Sequence, residues 1–148
     1  MPSFRVKTKI KAPILHIWSL FDQNLLARLS PPFPPIKINR FDGCRRGDLV
    51  QLEIKLGFTR LIWDSEITDD FESENKIYFI DEGRRIPLGI TFWKHQHILE
   101  KIDSRETWII DHINYSTRSK FLDILLYPLL WGMIIYRKPL YQSILSLP

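Results

Sequence analysis

The sequence is poor in cysteine. A single Cys44 excludes an internal disulfide framework and any multi-cysteine zinc site. It sits in the turn-rich stretch Asp42-Gly43-Cys44-Arg45-Arg46-Gly47. There it reads either as a thiol with its pKa depressed by the two arginines or as an incidental turn residue. Phosphate-cradling glycine loops are missing too, because Gly83 and Gly89 lack the spacing of nucleotide-binding turns. No serine occupies a nucleophile elbow. The longest apolar run, near the C-terminus, is broken by Asp123, Pro128 and Gly132, so stable membrane insertion is not expected. Met1 to Lys11 alternates polar and apolar residues instead of carrying an apolar leader core, and the expected location is cytoplasmic. The net charge of +4 and pI near 9.3 would suit a nucleic-acid surface. Yet the sequence has no basic helical stripe and no aromatic-basic RNA-binding motif, so no nucleic-acid partner is expected.

What remains is an ordinary globular composition with an aromatic surplus. At 148 residues the chain fits one domain spanning 1–148, long enough to fold without a metal or disulfide. Aromatics make up 13%. In a small domain such residues either fill a bulky core or line a bulky cavity.

The hydrophobic period places the elements. Phe4 to Lys11 alternates as a strand whose solvated face carries Arg5, Lys7, Lys9 and Lys11. Ala12-Pro13 opens a short helix through Ile14, Ile17, Trp18 and Phe21. Asp22 is placed to cap a second one ending near Leu29. The proline-rich Ser30 to Pro35 permits only an extended connector. Period-two segments then follow at Ile36–Phe41, Leu49–Leu56, Arg60–Thr68, Lys76–Asp81, Thr91–Ile102 and Thr107–Tyr115, joined by short turns as in an antiparallel meander. Arg118 to about Tyr136 reads as one long apolar helix, kinked or divided at Pro128. It is apolar on more than one face, and a homodimer through it is one expected assembly.

On strands six and seven the alternation turns Trp93, His95, His97 and Leu99 to one face and Thr107, Ile109, Asp111, Ile113 and Tyr115 to the facing one. If the two strands form a hairpin, His95, His97, Asp111 and Tyr115 meet on an apolar surface, where polar groups need partners. Three readings stand: a self-satisfied structural cluster, a clamp for the polar end of an apolar molecule whose body contacts Trp63, Trp93 and Tyr115, or a catalytic or metal-binding group. His16 and His112 read as boundary residues.

The element order (strand, two short helices, six antiparallel strands, long apolar helix) resembles the helix-grip fold of the SRPBCC superfamily. That superfamily includes START lipid-transfer domains, polyketide cyclases and pathogenesis-related pollen allergens. The residues that carry the likeness are Phe4-Arg5-Val6 through Ala12-Pro13, Ile17-Trp18-Ser19-Leu20, Phe92 to His97, Asp111-His112-Ile113-Asn114-Tyr115 and the terminal helix. It is most similar to the bacterial ligand-binding branch. The resemblance implies an α+β domain whose seven-stranded curved sheet wraps around the C-terminal helix, with a cavity between them. The expected function is binding of a hydrophobic or amphipathic, lipid- or polyketide-like molecule, with Trp63, Trp93, His95, His97, Asp111 and Tyr115 as the site and neither cofactor nor metal. The alternatives are a cofactor-free cyclase or hydrolase using His95 or His97 with Asp111, and a module docking a partner or membrane through Arg118–Tyr136. Trp18 and Trp131 are expected among the rings around the cavity.

Overall fold

In the computed structural model, which describes all 148 residues, β1 (Ser3–Ile10) is followed by α1 (Ile14–Ser19) and α2 (Gln23–Leu29). Six strands come next: β2 (Ile36–Phe41), β3 (Leu49–Leu56), β4 (Thr59–Glu72), β5 (Lys76–Arg85), β6 (Ile90–Lys101) and β7 (Thr107–Thr117). Two helices, α3 (Lys120–Ile135) and α4 (Arg137–Leu145), end the chain. The strands form one antiparallel sheet in the order β1-β7-β6-β5-β4-β3-β2. The meander therefore runs unbroken from β2 to β7, and β1 closes beside β7.

Alternation in β1 is complete: Phe4, Val6, Thr8 and Ile10 are buried and every intervening residue is exposed. Asp22 caps α2 by accepting a hydrogen bond from the Leu25 N–H at 2.9 Å, satisfying one of the amide groups a helix start leaves open. Two apolar clusters result. One joins Ile10, Ile14, Ile17, Leu25, Leu29, Ile77, Leu99, Ile109, Tyr141 and Leu145. The other joins Phe4, Val6, Trp63, Ile90, Trp93, Ile113, Tyr115, Leu126, Leu130 and Ile134. The site lies where the two clusters fail to meet.

Several element bounds differ from expectation, for physical reasons. β4 continues to Glu72 because register shifts at Asp64/Ser65 and Ile67/Asp69 absorb the break in alternation. β5 likewise runs past Asp81 to Arg85. Pro128 does not divide the C-terminal helix: α3 passes through it. Both Pro128 and Ile124, whose carbonyl loses its partner there, are exposed, so water can satisfy that group. The division comes at Tyr136. Beyond it, α4 has few apolar residues, only Tyr141 and Leu145 being buried. Its Pro139 falls in the first turn, where a missing N–H costs nothing. No helix is long and apolar enough to cross a membrane.

Candidate functional site

Strand register assembles the polar cluster. His97 pairs directly with Asp111 across β6 and β7, and His95 pairs with Ile113. The His95 ring therefore reaches Asp111 diagonally, and its Nε2 donates to Asp111 Oδ1 at 2.8 Å. Both side chains are almost fully buried. Burial, with the neighbouring His97 adding to it, pushes the His95 pKa down to about 4 against the pull of Asp111. His95 is therefore a neutral imidazole at pH 7. Burial alone would raise the Asp111 pKa, but the hydrogen bond from His95 and the charge of Arg137 hold it below the ordinary carboxylate range. Asp111 is thus an anion fixed in position by a neutral donor.

His97 is held differently. Its ring stacks between Phe79, with centroids 4.3 Å apart, and His95, at 3.6 Å. Its Nδ1 is 3.7 Å from Asp111 Oδ1 and its Nε2 is 3.8 Å from Asp81 Oδ2. Both distances exceed hydrogen-bond length, so His97 is positioned by stacking and keeps both nitrogens free. Asp81 is the remaining oddity: its Oδ1 is buried and has no hydrogen-bond partner. A buried carboxylate oxygen left in this state costs free energy that a donor would recover.

Asp81, His95 and His97 floor a largely apolar cavity of about 130 Å3 lined by 24 residues, 17 of them hydrophobic. Trp63, Val50, Ile67, Trp93 and Ile134 form buried walls, with Leu25 and Leu29 from α2 opposite. Leu26, Ile36, Phe41 and Met133 keep partial exposure and mark its rim. Trp63 meets Trp93 edge-on at 4.9 Å, and Trp93 meets His95 at 6.2 Å. Together with His97 and Phe79 these rings form one continuous aromatic row.

Of the residues singled out in the sequence, Trp63, Trp93, His95 and His97 line the cavity, and Asp111 stands behind His95 without lining it. Tyr115 is placed elsewhere. Fully buried, it donates its hydroxyl to the Asp123 carbonyl. The Asp123 carboxylate in turn accepts from the Thr117 amide and hydroxyl, both at 2.7 Å. Tyr115 thus fastens α3 to β7 and does not line the cavity. Trp18 also stands outside, donating to Glu72 at 3.1 Å. Trp131 is on the outer side of α3, 43% exposed. Cys44 does line the cavity, but the reactive-thiol reading fails. Burial, reinforced by Asp48, Asp81 and Asp22, pushes its pKa up to about 12, which outweighs the adjacent arginines.

Three site residues are not evident from the sequence pattern. Asp81 continues the inward set Ile77, Phe79, Asp81 of β5, a period-two signal hidden within an acidic run. Arg137, just beyond the apolar helix, lines the cavity. Although burial opposes its charge, Tyr141, Asp111 and Asp81 raise its pKa. Tyr141, four residues on and fully buried, is kept protonated by burial and by Asp111.

Asp81, His95 and His97 present donor atoms within 4.8 Å of one another. Nitrogen and carboxylate donors around tetrahedral zinc stand about 3.3 Å apart, and Arg137 already places a cation beside them. These three residues fit a metal only if they close together against that charge.

No family model matches the chain, and no curated protein matches it in sequence. Solved structures do match. An aromatase/cyclase, Zhui from Streptomyces sp. R1128, superposes with a TM-score of 0.69 at 13% identity over 93% of this chain and 89% of that one. Norcoclaurine synthase from Thalictrum flavum gives 0.65 at 15% over 94% and 92%. The protein Ara h 8.0201 gives 0.60 at 12% over 93% and 95%. The chain has the helix-grip fold. Its sheet, its paired short helices after β1 and its C-terminal helices follow the order and topology of those structures, the fold that the sequence resemblance implied. At these identities the likeness extends to the fold alone, and what the helix-grip cavity of this chain does rests on its own residues.

Proposed function

We propose that this helix-grip domain binds an amphipathic small molecule whose apolar body lies along the aromatic row and whose polar end donates hydrogen bonds to Asp81 and His97. The observation that carries this reading is the unpartnered, buried Asp81 oxygen next to an uncommitted His97 in a cavity whose walls are mainly apolar. Pockets of this kind gain affinity from apolar burial and orientation from a few polar groups. The cavity volume of about 130 Å3 resembles engineered cavities of about 150 Å3 that admit one benzene ring. A ring-bearing, polyketide-like molecule fits it better than a long acyl chain, and any tail would leave through the rim at Leu26, Ile36 and Phe41. Norcoclaurine synthase, which shares the fold, is described in complex with dopamine and hydroxybenzaldehyde, two ring-bearing molecules of this size class. Native mass spectrometry of protein purified gently from its own source is expected to show a co-purifying small molecule released on denaturation. A bare protein mass, together with no uptake of ring-bearing probes in solution, would refute binding.

A second reading, acid–base turnover of the bound molecule, is favoured by the His95–Asp111 pair, in which a neutral histidine is oriented by a buried carboxylate. Asp111→Asn would then abolish product formation while leaving ligand affinity within about threefold. Loss of affinity with no reaction in either protein assigns the pair to positioning.

A further inference from the structure

The helix α3 is apolar all round, yet only half of it is covered. Leu126, Leu130 and Ile134 are buried against the sheet. On the other side Phe121 is 76% exposed, Ile124 74%, Leu125 59%, Leu129 53% and Trp131 43%. At 3.6 residues per turn and about 1.5 Å rise per residue these side chains, with Pro128, fall on one contiguous stripe about 15 Å long. Scattered surface leucines are ordinary, but a continuous apolar stripe marks an interaction surface. No charge interrupts it: between Lys120 and Arg137 the only charged residue is Asp123, whose carboxylate is turned inward onto Thr117.

The flanking charges identify what covers the stripe. Exposed Arg118 and Lys120 precede it, and Lys138, half-buried with its Nζ donating to the Lys7 carbonyl, follows it. An antiparallel pair of such helices, related by a two-fold axis, would set Arg118 and Lys120 of one copy beside Lys138 of the other. No acid on either exposed stripe would neutralise them. A surface of anionic lipid headgroups complements the same pattern, the apolar stripe entering the acyl boundary and the basic ends meeting the headgroups. Trp131 and Tyr136, both partly exposed, are side chains that favour that boundary. We propose that α3 docks this protein, lying flat, on an anionic lipid surface. Met133 and Ile134 of the same helix line the cavity, so the docked helix is the wall between the lipid and the ligand site.

Flotation with phosphatidylcholine vesicles containing about one-third phosphatidylserine tests this, with pure phosphatidylcholine vesicles and high salt as the contrasts. The wild-type chain should float with the anionic vesicles and lose most of that binding in either contrast. Ile124→Glu and Phe121→Glu, both at exposed positions, should each weaken binding about tenfold or more while melting temperature and probe uptake by the cavity stay unchanged. Absence of flotation overturns the proposal. So does a dimer in light scattering that Ile124→Glu dissociates, because the stripe would then be the seam between two copies. Equal flotation of wild type and both variants overturns it as well.

Discussion

Acid should loosen this fold through one residue. His95 is held at a pKa of about 4, whereas a histidine in an unfolded chain titrates near about 6.5. Between those values the unfolded chain carries a proton that the folded one refuses, so stability falls as pH drops through that window and is fully present above it. At about 1.4 kcal/mol per factor of ten, the difference amounts to about 3 kcal/mol. That is a substantial part of the 5–15 kcal/mol typical of a domain, roughly equivalent to 6–12 °C in Tm at this chain length. The control is His95→Gln, which keeps an N–H for Asp111 but has nothing to protonate. Urea unfolding at pH 7, 5.5 and 4 should show wild type losing about 3 kcal/mol more than the variant over that range. Parallel pH profiles for the two proteins would refute the argument. They would mean that His95 is solvated in the fold, or that other groups carry all of the acid sensitivity.

Leu130→Ala removes a side chain only 1% exposed in the second apolar cluster, and chemical denaturation should show a loss of about 2–5 kcal/mol. Tyr115→Phe deletes the hydroxyl that fastens α3 to β7. It should cost about 1–2 kcal/mol by the same measurement and leave probe binding unaltered, whereas a ligand-contacting tyrosine would change both. Cys44, with its pKa near 12, should react with a disulfide reagent at pH 8 far more slowly than in urea-unfolded protein. Comparable rates would place the thiol in solvent. Gly83→Ala would drive a Cβ into the Ile86 side chain and to within 3.2 Å of Trp93 Cβ. It should lower Tm and perturb the Trp93 wall, seen as altered tryptophan fluorescence, and a neutral outcome would show that β5 yields there.

Period-two alternation alone is strong enough to place β2 and β3 to the residue and to face His95, His97 and Asp111 inward. It works because one face of each strand is buried and a slip of one residue would reverse every side chain. It fails where alternation and burial part company. The register shifts in β4 hide the continuation of that strand through Asp69 and Asp70, and the same acidic stretch conceals Asp81 as an inward residue. Tyr115 obeys the alternation and is inward, yet its hydroxyl is claimed by a helix carbonyl whose position no local pattern reveals. Arg137 and Tyr141 enter the site because the chain divides at Tyr136 instead of at Pro128. That choice depends on which side of α3 faces water. Local sequence thus specifies the sheet and half of the polar cluster, and the packing of the last two helices supplies the rest.

Isothermal titration with 2-phenylethanol, 2-phenylethylamine and 3-phenylpropionate, on wild type and Asp81→Asn, tests the account most directly. Burying one ring contributes roughly 4 kcal/mol at about 25 cal/mol per Å2, and a hydrogen bond to a buried carboxylate adds about 2 kcal/mol. The cost of association is subtracted from that gross gain, so the two donor-ended compounds should bind wild type weakly but measurably, and the carboxylate at least about tenfold more weakly. Asp81→Asn should erase most of that preference. Equal affinity for all three ligands, or a preference that survives Asp81→Asn, would contradict the claim that the unpartnered Asp81 oxygen selects the ligand.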